Sequence, residues 1–218
     1  MKVLVTRAEP AASSSATKLQ HHGFEPVVYP LFEVADTFAV MPDRHYDGIV
    51  FTSANGPRIL AERNYIPSDT VIPVFCVGDE TKKAAEALGF TNLVSANGGG
   101  AALAELIGKT EEFRGKTFLY PAAKVRSFDM VSALLEYGIG LELVSLYEIR
   151  KIAVSKPDFK ASLVKLGPGA VFHYSVESAK HFMDMIIGTE SKNDLRHLIA
   201  INISQKTADM LDENDWRV

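Results

Sequence analysis

The sequence predicts an α/β protein built on parallel β-sheets, and three observations carry that expectation. Short β-branched runs alternate with longer helical patterns, as parallel strands joined by crossover helices require. The motifs of the first half return in the same order in the second half. The composition is that of an ordinary folded chain, with 47% hydrophobic and 23% charged residues among 218. That is enough apolar material for one large domain or two small ones.

The strand candidates are Val3–Val5, Pro26–Tyr29, Gly48–Phe51, Val74–Val77, Thr117–Tyr120, Glu142–Ser145, Ala170–Phe172 and Leu198–Ile201. Helical stretches lie between them at Ala11–His22, Glu80–Leu88, Ala101–Ile107, Phe128–Tyr137, Ser178–Ile187 and Lys206–Glu213, and another begins near Pro57. Within Phe128–Tyr137, Met130, Leu134 and Leu135 recur at helical spacing, and Gly138 is placed to end the helix.

The repeat has three members. Lys2-Val-Leu-Val-Thr-Arg aligns with Lys116-Thr-Phe-Leu-Tyr-Pro at an offset of 114 (116 − 2), and each is followed by a helix ending in Gly23 or Gly138. Ile49–Gly56 aligns with Val171–Ser178 at an offset of 122, matching Thr52 with Tyr174. Val74–Thr81 aligns with Ala200–Thr207 at an offset of 126. Offsets that grow along the chain are what duplication with small loop insertions produces.

Two halves of about 110 residues suit two small α/β domains. The chain could divide simply near residue 114. Alternatively the first strand–helix–strand packs with the C-terminal third, leaving 37–145 as an insertion. The crossing segments Leu31–Val34 and Leu146–Ile149 alternate apolar and polar residues and could pair as a two-stranded ribbon. Residue patterns alone do not choose between these divisions.

Several function classes are disfavoured. A net charge of −4 argues against nucleic-acid binding, which calls for a basic excess. The N-terminal apolar run is too short for a signal peptide and no stretch approaches membrane-spanning length, so no membrane partner and a cytoplasmic location are expected. The single cysteine, Cys76, sits in the apolar run Val74–Val77 and reads as a buried small hydrophobe. His21 and His22 are adjacent, His173 and His181 lack ligand spacing, and no metal or triad motif occurs. No metal is expected. The glycine run Gly98–Gly100 lacks the Lys-Ser/Thr ending of a phosphate loop and reads as the start of the helix Ala101–Ile107.

The candidate binding elements are strand-to-helix loops, where parallel sheets bind ligands. Phe51–Gly56 is the clearest, and Val77–Thr81, Tyr174–Ser178 and Ile203–Thr207 share its position. Free N–H groups and the positive dipole end at four such helix starts suit carboxylates. N-capping by Ser53 or Asn55 is the plainer reading of the first loop. Basic residues at loop positions are Arg7, Arg58, Lys124, Arg126 and Lys206. Arg7 and Arg126 follow corresponding strands and could clamp a carboxylate, although each alone reads as a solvated charge. Tyr147, on the second crossing segment, is either a packed ribbon residue or a hydroxyl donor.

Together, Val5-Thr-Arg-Ala-Glu-Pro10, Phe51-Thr-Ser-Ala-Asn-Gly56, Val77-Gly-Asp-Glu-Thr81, Leu119-Tyr-Pro-Ala-Ala-Lys-Val-Arg126 and Leu146-Tyr-Glu-Ile149 resemble the uroporphyrinogen-III synthase family. The resemblance covers essentially the whole chain. It implies two similar flavodoxin- or Rossmann-like domains with an interleaved chain, joined by a two-stranded ladder. Domain 1 would comprise 1–33 and 151–218, domain 2 would comprise 37–145, and the linkers would be about 31–38 and 145–152. It also implies a cofactor-free, monomeric enzyme acting on hydroxymethylbilane, a linear tetrapyrrole with eight carboxylates. Tyr147 matches the family's linker tyrosine and would assist loss of the substrate hydroxyl. Thr52, Ser53, Asn55, Thr81, Ser175 and Thr207 match loop positions that contact substrate, and Arg7, Lys124, Arg126, Tyr174 and Lys206 complete the expected binding set. The chain departs from the family at His173-Tyr174-Ser175-Val176-Glu177, at Ser204 in place of glycine, and at Lys206 in place of a small residue. A non-catalytic two-lobed module for small anions is the main rival reading. A nucleotide-dependent Rossmann enzyme ranks below it, since the glycine fingerprint is absent.

Overall fold

Parallel pairing sorts the strands into two sheets. The computed structural model describes residues 1–65, 67, 69–186 and 197–212. Along the chain run β1 (Lys2–Val5), α1 (Ala11–His21), β2 (Glu25–Val28), β3 (Phe32–Asp36), β4 (Gly48–Phe51) and α2 (Asn55–Glu62). Next come β5 (Val74–Cys76), α3 (Asp79–Glu86), β6 (Leu93–Ser95), α4 (Gly100–Gly108), β7 (Thr117–Ala123), α5 (Met130–Leu135) and β8 (Gly140–Lys151). The chain continues through α6 (Lys156–Leu166), β9 (Gly169–His173), α7 (Val176–Ile186), β10 (Leu198–Asn202) and α8 (Gln205–Asp212). Residues Ile187 and Glu213, the expected last residues of two helices, lie outside the described residues.

Two compact units result: residues 1–34 with 149–218 (unit 1), and residues 35–148 (unit 2). Strands β3 and β8 each carry the chain from one unit into the other. They are neighbours. Thr37 N donates to Leu146 O and Ile152 N donates to Leu31 O, so one strand rises as the other falls and the pair is antiparallel.

Unit 1 has a sheet of order β10-β9-β1-β2. Leu4, Val171 and Ala200 stand level on neighbouring strands and pack with Phe159, Phe182 and Leu211 from the helices. Val3 and Val5 are also fully buried, as expected of a parallel sheet covered on both faces. In unit 2 the order is β8-β7-β4-β5-β6, with β3 beyond β8. There Val50, Phe75, Phe118 and Tyr120 pack against Leu103 and Ile107 of α4 and Leu134 of α5.

The two sheets share a strand order once the repeat is applied: β2-β1-β9-β10 corresponds to β8-β7-β4-β5. Register corrects one offset. Leu4 and Val27 are level with Val171 in unit 1, while Leu119 and Glu142 are level with Ile49 in unit 2. With 171 − 49 fixed at 122, the first offset is 115 (119 − 4, 142 − 27), not 114. The counterpart of Tyr120 is therefore Val5 and not Thr6.

Other differences have local causes. Helix α5 is shorter than the periodicity predicts, because the Asp129 carboxylate accepts from Ser132 N at 3.1 Å and fixes the start. It ends at Leu135, two residues before the expected Tyr137, and the turn that follows closes at Gly138, with φ +74. Strand β7 continues to Ala123 through Pro121. The pairing of β4 with β7 stops at Leu119, so a residue without an N–H is tolerated at 121. Helix α6 is absent from the sequence expectations despite a Ser155 side chain accepting from Asp158 N at 3.2 Å. The three-residue strand β6 is likewise unanticipated.

Candidate active site

In unit 2 the turn from β4 to α2 comprises Thr52, Ser53 and Ala54. Helix α2 starts hard against β7: a Cβ on Gly56 would stand 3.0 Å from the Pro121 carbonyl oxygen and 3.0 Å from the Phe51 ring. A side chain at this position would need its neighbours to give by a few tenths of an ångström, and the glycine lets the turn come against the ends of β7 and β8. Two tyrosines meet it there. The Tyr120 hydroxyl is 2.9 Å from Thr52 Oγ1. The Tyr147 hydroxyl has the Ser53 and Asn55 side chains as polar neighbours, and both lower its pKa. A bulge sets the position of Tyr147: Ala122 faces Ser145, but the next residue, Ala123, faces Tyr147. One extra residue in β8 shifts its phase just where the site begins.

Burial raises the pKa of both phenols, Tyr147 first by desolvation with partial relief from Ser53, and Tyr120 by desolvation with relief from Thr52. Both hydroxyls therefore stay protonated at neutral pH and can donate. Ser53 Oγ accepts from Asn55 N at 3.2 Å. Helix α2 nonetheless begins behind Ala54 without a side-chain cap, which corrects the expectation of Ser53 or Asn55 as an N-cap.

The remaining predicted residues of unit 2 are placed differently. Thr81 is buried in α3, 4% exposed. That helix opens with Asp79 and Glu80, so its positive end already carries carboxylates and is not the anion-ready start expected from sequence. Lys124 donates its backbone N–H to Tyr147 O at 2.7 Å and pairs its Nζ with Glu148 at 3.3 Å. Arg126 folds back, donating to Ala123 O at 2.8 Å and Lys124 O at 3.0 Å.

In unit 1 the corresponding loops carry a stack. The Arg7 guanidinium lies 4.3 Å from the Tyr174 ring centroid, and Tyr174 stacks on Phe172 at 4.6 Å. Arg7 Nη1 donates to Ser15 Oγ at 3.4 Å, and among the described residues no carboxylate pairs with it. Ser175 and Ser178 exchange backbone-to-side-chain bonds of 3.0 and 3.1 Å at the start of α7. Ser204 Oγ lies 3.0 Å from Thr207 Oγ1 at the start of α8, where Thr207 is fully buried and Lys206 exposed. His173 is buried against Phe182, and desolvation brings its pKa down to about 4.

Among the described residues, no helix is long and apolar enough to cross a membrane. Nor do three or more His, Cys, Asp or Glu gather to hold a metal ion. Burial pushes the Cys76 thiol up to about 12, which makes it inert packing.

The family model for uroporphyrinogen-III synthase HemD matches residues 13–218. The chain belongs to this family. Uroporphyrinogen-III synthases are cyclising lyases of tetrapyrrole biosynthesis. The fold is similar to that of the uroporphyrinogen-III synthetase from Helicobacter pylori 26695, with a TM-score of 0.63 at 19% identity over 98% of this chain and 88% of that one. It is also similar to a mutant uroporphyrinogen III synthase from the extremely thermophilic bacterium Thermus thermophilus, with a TM-score of 0.52 at 13% identity over 97% and 88%. No curated protein matches the sequence.

Within the uroporphyrinogen-III synthase motifs, Tyr120 is a member of this hydroxyl cluster that sequence patterns did not single out. It stands inside the run Leu119–Arg126, but its offset alignment with Thr6 hides its position. A phenol where the repeat has a buried valine is the signal that could have found it.

Proposed function

We infer that the protein closes hydroxymethylbilane to uroporphyrinogen III with inversion of ring D, using the hydroxyl cluster at the strand ends of unit 2. The single observation carrying this reading is the buried Tyr147 phenol, set by the β8 bulge beside the polar side chains of Ser53 and Asn55. Ring A must lose its hydroxyl, which departs with one proton as water and leaves an azafulvene. Attack by ring D gives a spiro intermediate that fragments and recloses with the ring inverted. A neutral phenol with a raised pKa is suited to hydrogen-bond the departing hydroxyl rather than to ionise. Uncatalysed closure gives isomer I, so holding the folded bilane is the larger duty.

Substrate carboxylates would be held by basic and polar residues of the strand-to-helix loops. Arg7 on its Tyr174 platform is the strongest candidate, since it is preorganised and lacks a carboxylate partner among the described residues. Ser175 and Lys206 would add surface donors at the starts of α7 and α8. Lys124 and Arg126 would contribute charge only after leaving their present partners. Thr81 and Thr207, being buried, would act by fixing their loops. The two units would form similar domains with an interleaved chain, and the β3–β8 pair would be the ladder joining them.

Isomer analysis of the porphyrin formed from freshly generated hydroxymethylbilane tests the reading. Predominantly isomer III is the expected result. Isomer I alone, at the rate seen without protein, would overturn it in favour of a non-catalytic anion-binding module.

A further inference from the structure

Tyr120 is the second phenol at the end of the unit 2 sheet. Its ring belongs to the core with Val50, Phe118 and Met130, and its residue is 2% exposed. Its hydroxyl meets Thr52 Oγ1 at 2.9 Å. It also lies close enough to Tyr147 to disfavour ionisation of that phenol. The sheet itself does not require this hydroxyl. At the equivalent level of unit 1 stands Val5, fully buried, and the same parallel arrangement forms around it.

Thr52 is half-buried, unlike Tyr120. A threonine hydroxyl has one proton and two acceptor sites. When Tyr120 donates to Thr52, the threonine proton is left to point elsewhere, and accepting one hydrogen bond strengthens the one it gives. Without the phenol, that proton has no fixed direction.

We propose that Tyr120 is a positioning residue that orients the Thr52 hydroxyl for the bound bilane. This rests on the reading of the unit 2 strand ends as the reaction site. Tyr120 does not touch the reacting atoms; it acts through Thr52.

A double-mutant cycle tests it, with initial rates of isomer III formation measured for wild type, Tyr120→Phe, Thr52→Val and the double variant, all well below their melting temperatures. The expected result is that kcat falls about tenfold in each single variant with KM within about twofold. The double variant should be no slower than Thr52→Val, because the two groups act as one. Thr52→Ser, which keeps the hydroxyl, should retain most of the rate. A wild-type kcat in Tyr120→Phe would overturn the proposal, as would effects that multiply in the double variant. Loss of rate in Thr52→Ser equal to that in Thr52→Val would also overturn it, since the hydroxyl would then not be what matters. Should wild type itself form no isomer III, the reading of the site fails and this inference with it; an active wild type with an unaffected Tyr120→Phe removes Tyr120 alone.

Discussion

Residues at matching levels of the two sheets differ in chemical kind. In unit 2 the strand ends and the turn after β4 present Tyr120 bonded to Thr52, and Ser53 accepting from Asn55 N, with Tyr147 as their neighbour. Their counterparts in unit 1 are Val5, Tyr174, Ser175 and Glu177, and there Tyr174 supports the Arg7 guanidinium instead. One duplicated scaffold has thus been given hydrogen-bond donors in one copy and a stacked cation in the other. The division teaches that the copies need not share one duty: donors suit a step with a departing hydroxyl, and a cation suits binding of carboxylates.

The sharpest way to break this comparison is to remove one hydroxyl from each copy. Tyr147→Phe should lower kcat about a hundredfold, the range for loss of one preorganised donor. Ser175→Ala, which alters the unit 1 counterpart of Ser53, should change kcat by no more than about twofold. Steady-state kinetics of both variants would decide, and equal losses would erase the distinction. Because the Tyr147 pKa is raised, its proton is retained as pH rises through the ordinary phenol range. No loss of kcat should therefore arise from Tyr147 below about pH 10.

Much of this scaffold was legible from local pattern. β-branched runs such as Gly48–Phe51 and Gly169–His173 mark central strands because both sheet faces are buried there. The repeat supplied their shared order. Register was not legible to one residue: aligned lysines put Tyr120 opposite Thr6, whereas pairing of β1 with β9 and of β7 with β4 puts it opposite Val5. A slip of one residue exchanges the sheet faces, so the mistake concealed a functional candidate. Tyr147 has Ser53 and Asn55 as polar neighbours although they lie far from it in the chain, and no spacing rule encodes that proximity. Charges were legible as residues but not as partners, since Lys124 is engaged by Glu148 and Arg126 by its own loop carbonyls.

A second test concerns the last residues of β9 and β4. His173 in unit 1 occupies the level of Phe51 in unit 2, and both are fully buried. The folded-state pKa of His173 is about 4, depressed from 6.5. Between these values the unfolded chain takes up a proton that the folded one refuses. Stability is therefore full above pH 6.5, falls as pH drops towards 4, and is level below that for this group. The loss between about pH 7.5 and about pH 5 should be about 2 kcal/mol. Installing the unit 2 residue by His173→Phe should remove that portion of the pH dependence, whatever it does to absolute stability. Urea denaturation at the two pH values measures it, and an unchanged slope would show that His173 titrates normally.

The smallest expected effect probes the cation. Arg7→Ala should raise KM about tenfold with kcat nearly unchanged, because a carboxylate clamp contributes equally before and during reaction. The increase should shrink at high salt as the charge is screened. Arg7→Lys should recover only part of the loss, since an ammonium keeps the charge but not the planar face that stacks on Tyr174. Kinetics at low and high ionic strength distinguish these roles. A fall in kcat at constant KM would place Arg7 with the donors of unit 2, and the division of labour between the two copies would have to be abandoned.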